Sequence, residues 1–564
     1  MIASDTFGFL SLKKTVLFFV LLFLIIGTAF SQTDDKFYVQ FTDKNNSPFS
    51  IQQPQLYLSQ KSIDRRVKQS ISINESDLPV NPNYLAKIKQ LGATVLYPLK
   101  WMNGTVIQTS SSQILDSVLN LSFVSLGKTV NRIRPLKKLE EIIEPISTEK
   151  QINTTLPYGN SLNQIEMLNG VCLHEKGFTG SAISIAVFDA GFAKSNLHTA
   201  FDSLRNNNRL LGTKDFTFLN PINVFDPSTS GHGTAVLGTM AGYSPGNLVG
   251  TAPSANYWLI RSEYAPNEFL IEEYNWAAAA EFADSVGADI INSSLGYSTF
   301  DDVTQNHSMQ DLNGKTSVCS KAALNCARKG MIVCSSAGNS GGSSWPKVGF
   351  PADADSIITV GAVDATQSIV GFSSVGPTSD GRIKPDVMAQ GLASVVANSN
   401  GAIGTSSGTS FSSPILAGMV ACLWQSNPTK KNMEIIDAIR KSSNMADSPN
   451  NQYGYGIPDF CEADQLLKGM VEINLGNEIV FYSSNPFNEK CVIYFPNEIK
   501  NAYIEVVDVN GKLLLNESIN QSQNLNYFKE INMINSSNGV YFLRIYKDNS
   551  KSDELFSKKI VKIN

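Results

Sequence analysis

The segment most suited to nucleophilic chemistry contains Ser410. It follows Gly408 and Thr409 and lies directly before an apolar run over residues 415–424. A serine in the first turn of a buried helix lies beside unpaired N–H groups and a partial positive charge, which stabilise negative charge forming near its hydroxyl. Pro414 is expected in the same first turn, where its missing N–H costs little. The alternative is that Ser410 only caps a core helix.

Two other segments offer a carboxylate and an imidazole. Asp189 follows an apolar run over residues 183–188 that predicts a buried strand. An acid at the carboxyl end of such a strand lies where open α/β sheets build their sites. His232 lies between two glycines before an apolar helical stretch, which leaves its imidazole unobstructed. A serine needs a base, and the base needs a carboxylate to fix its tautomer, so Asp189, His232 and Ser410 form a candidate set.

The order Asp, His, Ser along the chain is that of subtilisin. Residues 158–468 resemble the subtilisin-like serine proteases, the subtilases, in all three blocks: 186–191, 231–234 and 408–410. The chain departs mildly after Ser410, where Phe-Ser-Ser-Pro replaces the more usual Met and Ala before Pro. The resemblance implies a serine endopeptidase in which Asp189 orients His232, and His232 takes the Ser410 proton before an acyl-enzyme forms. Activity should then fall on acidification, because the base must be neutral.

Two further blocks resemble the parts of subtilases that hold the substrate. Asn339 follows an apolar strand-like run, and the resemblance implies that its side-chain amide and the Ser410 N–H stabilise the oxyanion. The alternative for Asn339 is an ordinary turn residue. Residues 290–297 resemble the segment that pairs with the substrate main chain as an added strand, or else form an ordinary core strand. The predicted substrate-binding residues are Ser294, Leu295, Gly296, Ser336, Ala337 and Gly338.

The catalytic region is expected to be α/β, a three-layer subtilisin-like sandwich with a mostly parallel sheet. Apolar runs predict strands over residues 183–188, 257–261, 289–292, 331–335 and 357–361. Helical spacing predicts helices over residues 234–241, 274–286, 318–329 and 412–424.

Residues 1–31 have the pattern of a signal peptide. Lys13 and Lys14 precede an apolar run over residues 16–26, and small residues at Ala29 and Ser31 suit cleavage after Ser31. The alternative is a single membrane anchor, but the run is short for a span. We therefore expect a secreted or cell-surface protein with no stable membrane span.

Residues 32–131 predict a small α+β unit of ferredoxin-like type, in which two helices alternate with strands. Its place before the catalytic region resembles subtilase propeptides, which implies an intramolecular inhibitor that also assists folding. Residues 132–157 are charged and broken by proline, which predicts a linker that contains the processing site. The alternative is a permanent N-terminal binding domain.

Residues 476–564 predict a small β-sandwich of about seven strands, with a hairpin at Asn510-Gly511. Its Asn-Pro-Phe, Asp-Val-Asn-Gly and Gly-Val-Tyr-Phe-Leu elements resemble the C-terminal sorting domain of type IX secretion. The resemblance implies that secretion machinery is a partner. The alternative is an adhesive or carbohydrate-binding module.

Composition and residue spacing bear on the remaining questions of function class, disulfides and cofactors. A net charge of −5 indicates no nucleic-acid-binding surface. Seven scattered cysteines do not form a dense disulfide framework, and no His or Cys pair has metal-ligand spacing. The predicted chemistry needs no cofactor. The resemblance to subtilases implies that structural calcium is possible, but no loop of this sequence has a firm calcium-ligand pattern. Besides a protease acting on proteins or peptides, the same fold and triad suit a non-catalytic surface binding protein or an esterase.

Overall fold

The computed structural model describes residues 35–131, 156–217, 223–469, 471–475, 478–482, 487–495, 502–519, 527–547 and 554–563. The predicted signal peptide and most of the predicted processing region lie outside these residues. The chain divides into two compact units. The first takes its described residues from ranges 1–47, 80–98 and 103–136, and the second from 48–79, 99–102 and 137–564.

The α-helices run in chain order: α1 Gln60–Gln69, α2 Pro82–Gln90, α3 Ser112–Leu119, α4 Leu162–Glu166, α5 Val171–Glu175, α6 Asp202–Asn206, α7 His232–Ala241, α8 Ile271–Val286, α9 Val318–Arg328, α10 Thr409–Ser426, α11 Asn432–Lys441 and α12 Phe460–Leu467. The strands up to residue 300 are β1 Asp35–Phe41, β2 Thr94–Leu99, β3 Gly104–Thr109, β4 Val124–Asn131, β5 Ser184–Asp189, β6 Leu210–Asp215, β7 Tyr243–Ser244, β8 Leu248–Val249, β9 Asn256–Arg261 and β10 Ile290–Ser293. The later strands are β11 Ile332–Ser336, β12 Ile358–Val363, β13 Val387–Gln390, β14 Ser394–Ala397, β15 Ile403–Ser406, β16 Val471–Leu475, β17 Glu478–Tyr482, β18 Lys490–Phe495, β19 Ala502–Asp508, β20 Leu513–Ile519, β21 Tyr527–Asn532, β22 Gly539–Lys547 and β23 Glu554–Lys562.

The first unit is built on a four-stranded sheet in the order β2-β3-β1-β4, with α2 and α3 between strands along the chain. Strand β1 pairs antiparallel with both β3 and β4. Alternate residues of β1, Phe37, Val39 and Phe41, join Ile88 of α2 and Val118 of α3 in one apolar cluster. The predicted ferredoxin-like α+β arrangement is confirmed, and alternate residues of β1 form the apolar face that packs against the two helices.

The region from residue 158 to residue 468 contains a seven-stranded sheet in the order β13-β12-β11-β10-β5-β9-β6, and all its pairings are parallel. The five predicted strands are present. Strands β6 and β13 were missed, because β6 is polar and only half-buried and β13 is short. Parallel neighbours end at the same edge, so Asp189 at the end of β5 lies at the same sheet edge as Ser294 and Asn339, which come after the adjacent strands β10 and β11.

Helices cover both faces of this sheet. Ile185 and Val187 of β5 share a core cluster with apolar side chains of α7 and α10. Phe188 points the other way and packs edge-to-face on Trp276 of α8, with ring centroids 5.4 Å apart. Because successive strand residues face opposite sides, α8 lies on the face opposite α7 and α10. The predicted three-layer sandwich is confirmed.

The C-terminal region contains two four-stranded sheets, ordered β16-β17-β18-β21 and β20-β19-β22-β23. Ile493 and Ile531 of the first sheet share an apolar cluster with Val506 and Leu543 of the second. The Asn510-Gly511 hairpin is present: Asp508 and Lys512 close the turn, and Gly511 has φ +78°. The predicted sandwich is confirmed, with β16 and β21 in addition to the strands that the sequence indicated.

A cluster of buried charges, here called the Asp284 cluster, joins α1 to α8. The Asp284 carboxylate is fully buried and lies 2.5 Å from Arg65, 2.9 Å from Arg66 and 3.1 Å from Lys100. Arg66 also lies 2.7 Å from Asp77. Burial raises the pKa of Asp284, but the three cations lower it more, so the carboxyl stays ionised. This cluster fixes residues 60–69 and the loop at Lys100 on the outer face of α8.

A disulfide joins Cys172 of α5 to Cys461 of α12, across a sequence separation of 289 residues. The sequence had left the pairing open. The other cysteines of the described chain are buried thiols: Cys319, Cys326, Cys334, Cys422 and Cys491.

Replacing both bridge residues, Cys172→Ser with Cys461→Ser, is expected to lower the free energy of unfolding by about 2–5 kcal/mol, because the bridge restricts a long loop of the unfolded chain. Thermal unfolding with and without dithiothreitol tests this. The midpoint of the natural protein should drop on reduction and that of the double variant should not. Equal midpoints for the natural protein would contradict the expectation.

Within the described residues, we find no helix whose length and apolar character would suit a membrane span.

Candidate active site

The carboxylate and the imidazole meet at the sheet edge. Asp189 ends β5 and is fully buried, and both of its carboxylate oxygens lie 3.0 Å from Nδ1 of His232. One oxygen also accepts the Ala190 N–H at 2.8 Å. The His232 side chain remains 29% exposed, so Nε2 can face a substrate. A buried carboxylate at Nδ1 places that proton on Nδ1 and leaves Nε2 as an acceptor.

Two glycines, Gly191 and Gly233, allow the start of α7 to lie close to the end of β5. His232 is the first residue of α7, and Gly233 donates its N–H to the Gly191 carbonyl at 3.1 Å. A Cβ on Gly233 would lie 2.3 Å from that carbonyl oxygen and 2.9 Å from the Asp189 Cβ. A side chain at position 233 would therefore push α7 away from β5.

Ser410 is the second residue of α10, whose N-cap is Gly408. The alternative that Ser410 is the N-cap is therefore wrong. Its hydroxyl is largely buried and lies 3.4 Å from the Ser294 carbonyl. The next residue, Phe411, places its ring 5.8 Å from the His232 ring, centroid to centroid. In the described structure the Ser410 main-chain N–H makes no hydrogen bond, as expected for a first helical turn.

Pro414 lies inside α10 and not in its first turn, because the helix already begins at Thr409. The expectation for Pro414 was wrong by the length of one turn. Proline cannot donate to the carbonyl four residues earlier, which is that of Ser410. The Ser294 hydroxyl donates to this carbonyl instead, at 2.8 Å. The proline thereby frees the Ser410 carbonyl, and the bond from Ser294 links the main chain of Ser410 to the end of β10.

The Asn339 side chain has a fixed orientation. Its Oδ1 accepts the Thr409 N–H at 2.8 Å and the Thr409 hydroxyl at 2.9 Å. The Nδ2 group is consequently the end that remains available to donate. A Cβ built on Gly408 would lie 3.2 Å from Nδ2 of Asn339 and 3.7 Å from the Ser410 nitrogen. Two donors therefore converge on the space that Gly408 leaves open.

Asn339→Asp is expected to lower kcat about 10²- to 10³-fold with little change in KM, because it removes a donor used in the transition state. Aspartate keeps an acceptor for Thr409, so the effect reports the lost N–H and the added charge. Thr409→Val, which removes only one of the hydrogen bonds that orient Asn339, should cost less. Peptide hydrolysis kinetics test both; an unchanged kcat in Asn339→Asp would exclude Asn339 as a donor.

The predicted substrate-binding residues divide into two kinds. In the described structure the main-chain groups of Leu295 and Gly296 make no hydrogen bond, and Gly296 is exposed, as an edge for an added strand requires. In contrast, Ala337 and Gly338 use their main-chain N–H and C=O groups within the protein. Ser336 is buried at the end of β11. Ser336, Ala337 and Gly338 could therefore shape the wall of a substrate pocket, but they could not pair with a substrate strand.

Sequence reasoning missed two features of this edge. Thr409 orients Asn339, and only the fold reveals that contact. Glu263 follows β9 beside Asp189: Arg261 pairs with Asp189 in register, and Ser262 donates to its carbonyl at 3.1 Å. The rule that identified Asp189, an acid after a buried strand, could have identified Glu263 as well.

The other histidines do not take part in this site. His174 is buried between Tyr158 and Thr251, and burial lowers its pKa to about 4, so it stays neutral. Within the described ranges, no group of three or more His, Cys, Asp or Glu residues is placed to hold a metal ion.

Three family models match the chain. Residues 180–456 match the subtilase family, Peptidase S8. Residues 36–144 match the Peptidase S8 propeptide domain of Bacteroidota, and residues 484–562 match a secretion system C-terminal sorting domain.

Individual proteins match the same central region. The chain is 30% identical over 315 residues to subtilisin of Bacillus pumilus, which covers 55% of this chain and 99% of the relative. It is 29% identical over 330 residues to subtilisin NAT of Bacillus subtilis subsp. natto, covering 57% of this chain and 75% of the relative. Among solved structures, the self-cleaved protease domain of PatA matches at 23% identity and a TM-score of 0.41, over 52% of this chain and 98% of that one. The matches in sequence place the blocks around Asp189, His232 and Ser410 within one family, and the chain therefore belongs to the subtilase family of serine peptidases.

Proposed function

We propose that the protein is a secreted serine endopeptidase that uses Asp189, His232 and Ser410 as its catalytic triad. The observation that carries the proposal is the buried Asp189 carboxylate 3.0 Å from Nδ1 of a partly exposed His232. Ser410 supports it, since it lies in the first turn of α10 with an unpaired N–H and the Asn339 amide nearby.

Each group would perform one step on a peptide. His232 Nε2 takes the Ser410 proton as the serine oxygen bonds to the carbonyl carbon, and then gives that proton to the leaving amine. The Ser410 N–H and the Asn339 amide hold the negative oxygen. Water hydrolyses the acyl-enzyme by the reverse proton transfers. The base works only when it is neutral, so activity should decline as His232 becomes protonated on acidification.

A fluorophosphonate probe tests the nucleophile directly. The natural protein should be labelled on Ser410 and should cleave casein, and Ser410→Ala should do neither. Ser448→Ala, which changes an exposed serine outside the site, should behave as the natural protein. Labelling of Ser410→Ala at the natural rate, or casein cleavage by it, would refute the triad.

The matches to a propeptide and to a sorting domain extend the proposal to the processing and secretion of the precursor. We assign residues 32–131 to a propeptide that inhibits the enzyme until cleavage within residues 132–157, and residues 476–564 to a domain recognised by secretion machinery; the propeptide and sorting-domain matches support both assignments. Mass spectrometry and N-terminal sequencing of the secreted form test both assignments. A full-length active protein in the medium would contradict them.

A further inference from the structure

An acidic group of side chains lies beside the proposed triad and has no part in its chemistry. It consists of Glu263 and Glu268, carried by the loop between β9 and α8, with Glu272 in the first turn of α8. Glu263 follows Ser262, whose N–H binds the main chain of Asp189. The loop therefore begins at the same sheet edge as the reacting groups.

Glu272 has a structural role in this loop. Its two carboxylate oxygens accept the N–H groups of Tyr264 at 2.9 Å and Phe269 at 3.2 Å, which closes the loop from both ends. Glu263 and Glu268 are half-buried, and in the part of the chain that the structure describes their carboxylates make no hydrogen bond or ion pair. Glu272 thus fixes a loop that presents two uncompensated carboxylates.

The surroundings of these carboxylates are themselves acidic. Burial, and after it the charge of Asp189, raise the pKa of Glu263 to about 7, although His232 acts in the opposite direction. The pKa of Glu268 is raised mainly by burial and, to a smaller extent, by the neighbouring acids Glu263, Asp301 and Glu273. Two nearby basic side chains already have acidic partners: Arg261 contacts Asp215, and His307 contacts Glu273. Like charges held together without a counter-charge favour the binding of a cation.

A second observation indicates that the group faces a polar ligand. The Tyr297 side chain is 1% exposed, and its hydroxyl has no hydrogen-bond partner among the described residues. Buried hydroxyls are rarely left unpaired. After burial itself, Glu263 and Glu272 have the largest effects on the pKa of Tyr297, so its hydroxyl lies within electrostatic range of the acidic group. Tyr297 also directly follows Gly296, at the end of the segment with unpaired main-chain groups.

We infer that Glu263 and Glu268 recognise a Lys or Arg side chain of the peptide substrate, near the bond that Ser410 attacks. The inference rests on the proposed function. It makes the two glutamates specificity-determining residues, with Glu272 as the residue that positions their loop.

The chain's own sequence contains a matching segment. Residues 132–138, within the predicted processing region, read Arg-Ile-Arg-Pro-Leu-Lys-Lys and carry four cations without an acid. This basic segment lies near the end of the propeptide match and before the subtilase match, and it has the charge that an acidic recognition site requires.

Peptides test the inference on the full chain after processing. A fluorogenic peptide copying residues 130–141 is compared with versions in which Lys137 and Lys138, or Arg132 and Arg134, are replaced by Gln. The basic peptide should have a kcat/KM roughly 10- to 100-fold above the best Gln version, as charge-assisted hydrogen bonds allow. In the Glu263→Gln/Glu268→Gln variant this ratio should fall towards 1, with the Gln peptide cleaved about as fast as before.

Control variants separate recognition from folding and from the triad itself. Glu166→Gln makes a single charge change at an exposed site and should leave the ratio unchanged. Fluorophosphonate titration of the double variant should give a full count of reactive Ser410. The inference would be overturned if the natural protein cleaved casein but showed no preference for the basic peptide. It would also be overturned if the preference persisted in the double variant. Either result would leave the proposed function intact. If the natural protein showed neither fluorophosphonate labelling nor casein cleavage, both this inference and the proposed function would be overturned.

Discussion

Replacing Asp189 by Asn is expected to lower kcat about 10⁴-fold, as for the equivalent change in a related triad. The side-chain amide can donate to Nδ1 of His232, whereas the carboxylate only accepts from it. The imidazole proton would then move to Nε2, and Nε2 could no longer accept the Ser410 proton. The same change removes the negative charge that stabilises the imidazolium in the transition state. Steady-state hydrolysis of a peptide measures the loss.

The shape of that loss distinguishes a catalytic role from a structural one. KM should change little, and fluorophosphonate labelling of Ser410 should slow in parallel with kcat. Asp355→Asn, an exposed aspartate away from the site, should retain full activity. A kcat within tenfold of the natural value for Asp189→Asn would show that Asp189 does not set the tautomer of His232.

Replacing Asp284 by Asn is expected to destabilise the precursor by about 3–5 kcal/mol, because it leaves buried cations without their counter-charge. Arg65 and Arg66 come from the part of the chain that matches the propeptide, and Asp284 comes from α8 of the subtilase match. The measurement is urea unfolding in a Ser410→Ala background, which should keep the chain uncut. Limited proteolysis should then cut first near α1.

An exposed ion pair offers the matched control. Asp202 and Arg205 are close partners, but Asp202 is 56% exposed, so Asp202→Asn should cost less than about 1 kcal/mol. A second comparison replaces Asp284 and Arg65 together by leucine, which should cost less than the two single changes combined. Equal midpoints for Asp284→Asn and Asp202→Asn would show that the Asp284 cluster does not hold α1.

The pH dependence of this cluster follows from its lowered pKa values. The pKa of Asp284 and that of Asp77 are lower in the folded state, so their contribution is complete above the ordinary aspartate pKa of about 3.9. It is lost only as pH falls below that value. The cluster therefore stays intact across neutral and mildly acidic pH, so acidification within that range should not release α1.

The sequence determined the chemistry-bearing residues and most of the elements that carry them. Buried strands and amphipathic helices have periodic apolar patterns, which located β5, β9, β10, β11 and β12 together with α7, α8, α9 and α10. Asp189, His232, Asn339 and Ser410 were identifiable because each lies within two residues of a glycine, near the end of a strand or the start of a helix. These signals are local, so they are readable along the chain.

The tertiary structure decided what these residues meet. The Ser294 hydroxyl on the Ser410 carbonyl, Thr409 on Asn339, the pairing of Cys172 with Cys461 and the Asp284 cluster all join residues that are distant in sequence. The acidic group of Glu263, Glu268 and Glu272 also became visible only in three dimensions, because these are ordinary charged residues until the fold brings them together and limits their contact with solvent. Desolvation and the summed field of neighbours depend on distances through space, and no local pattern records them.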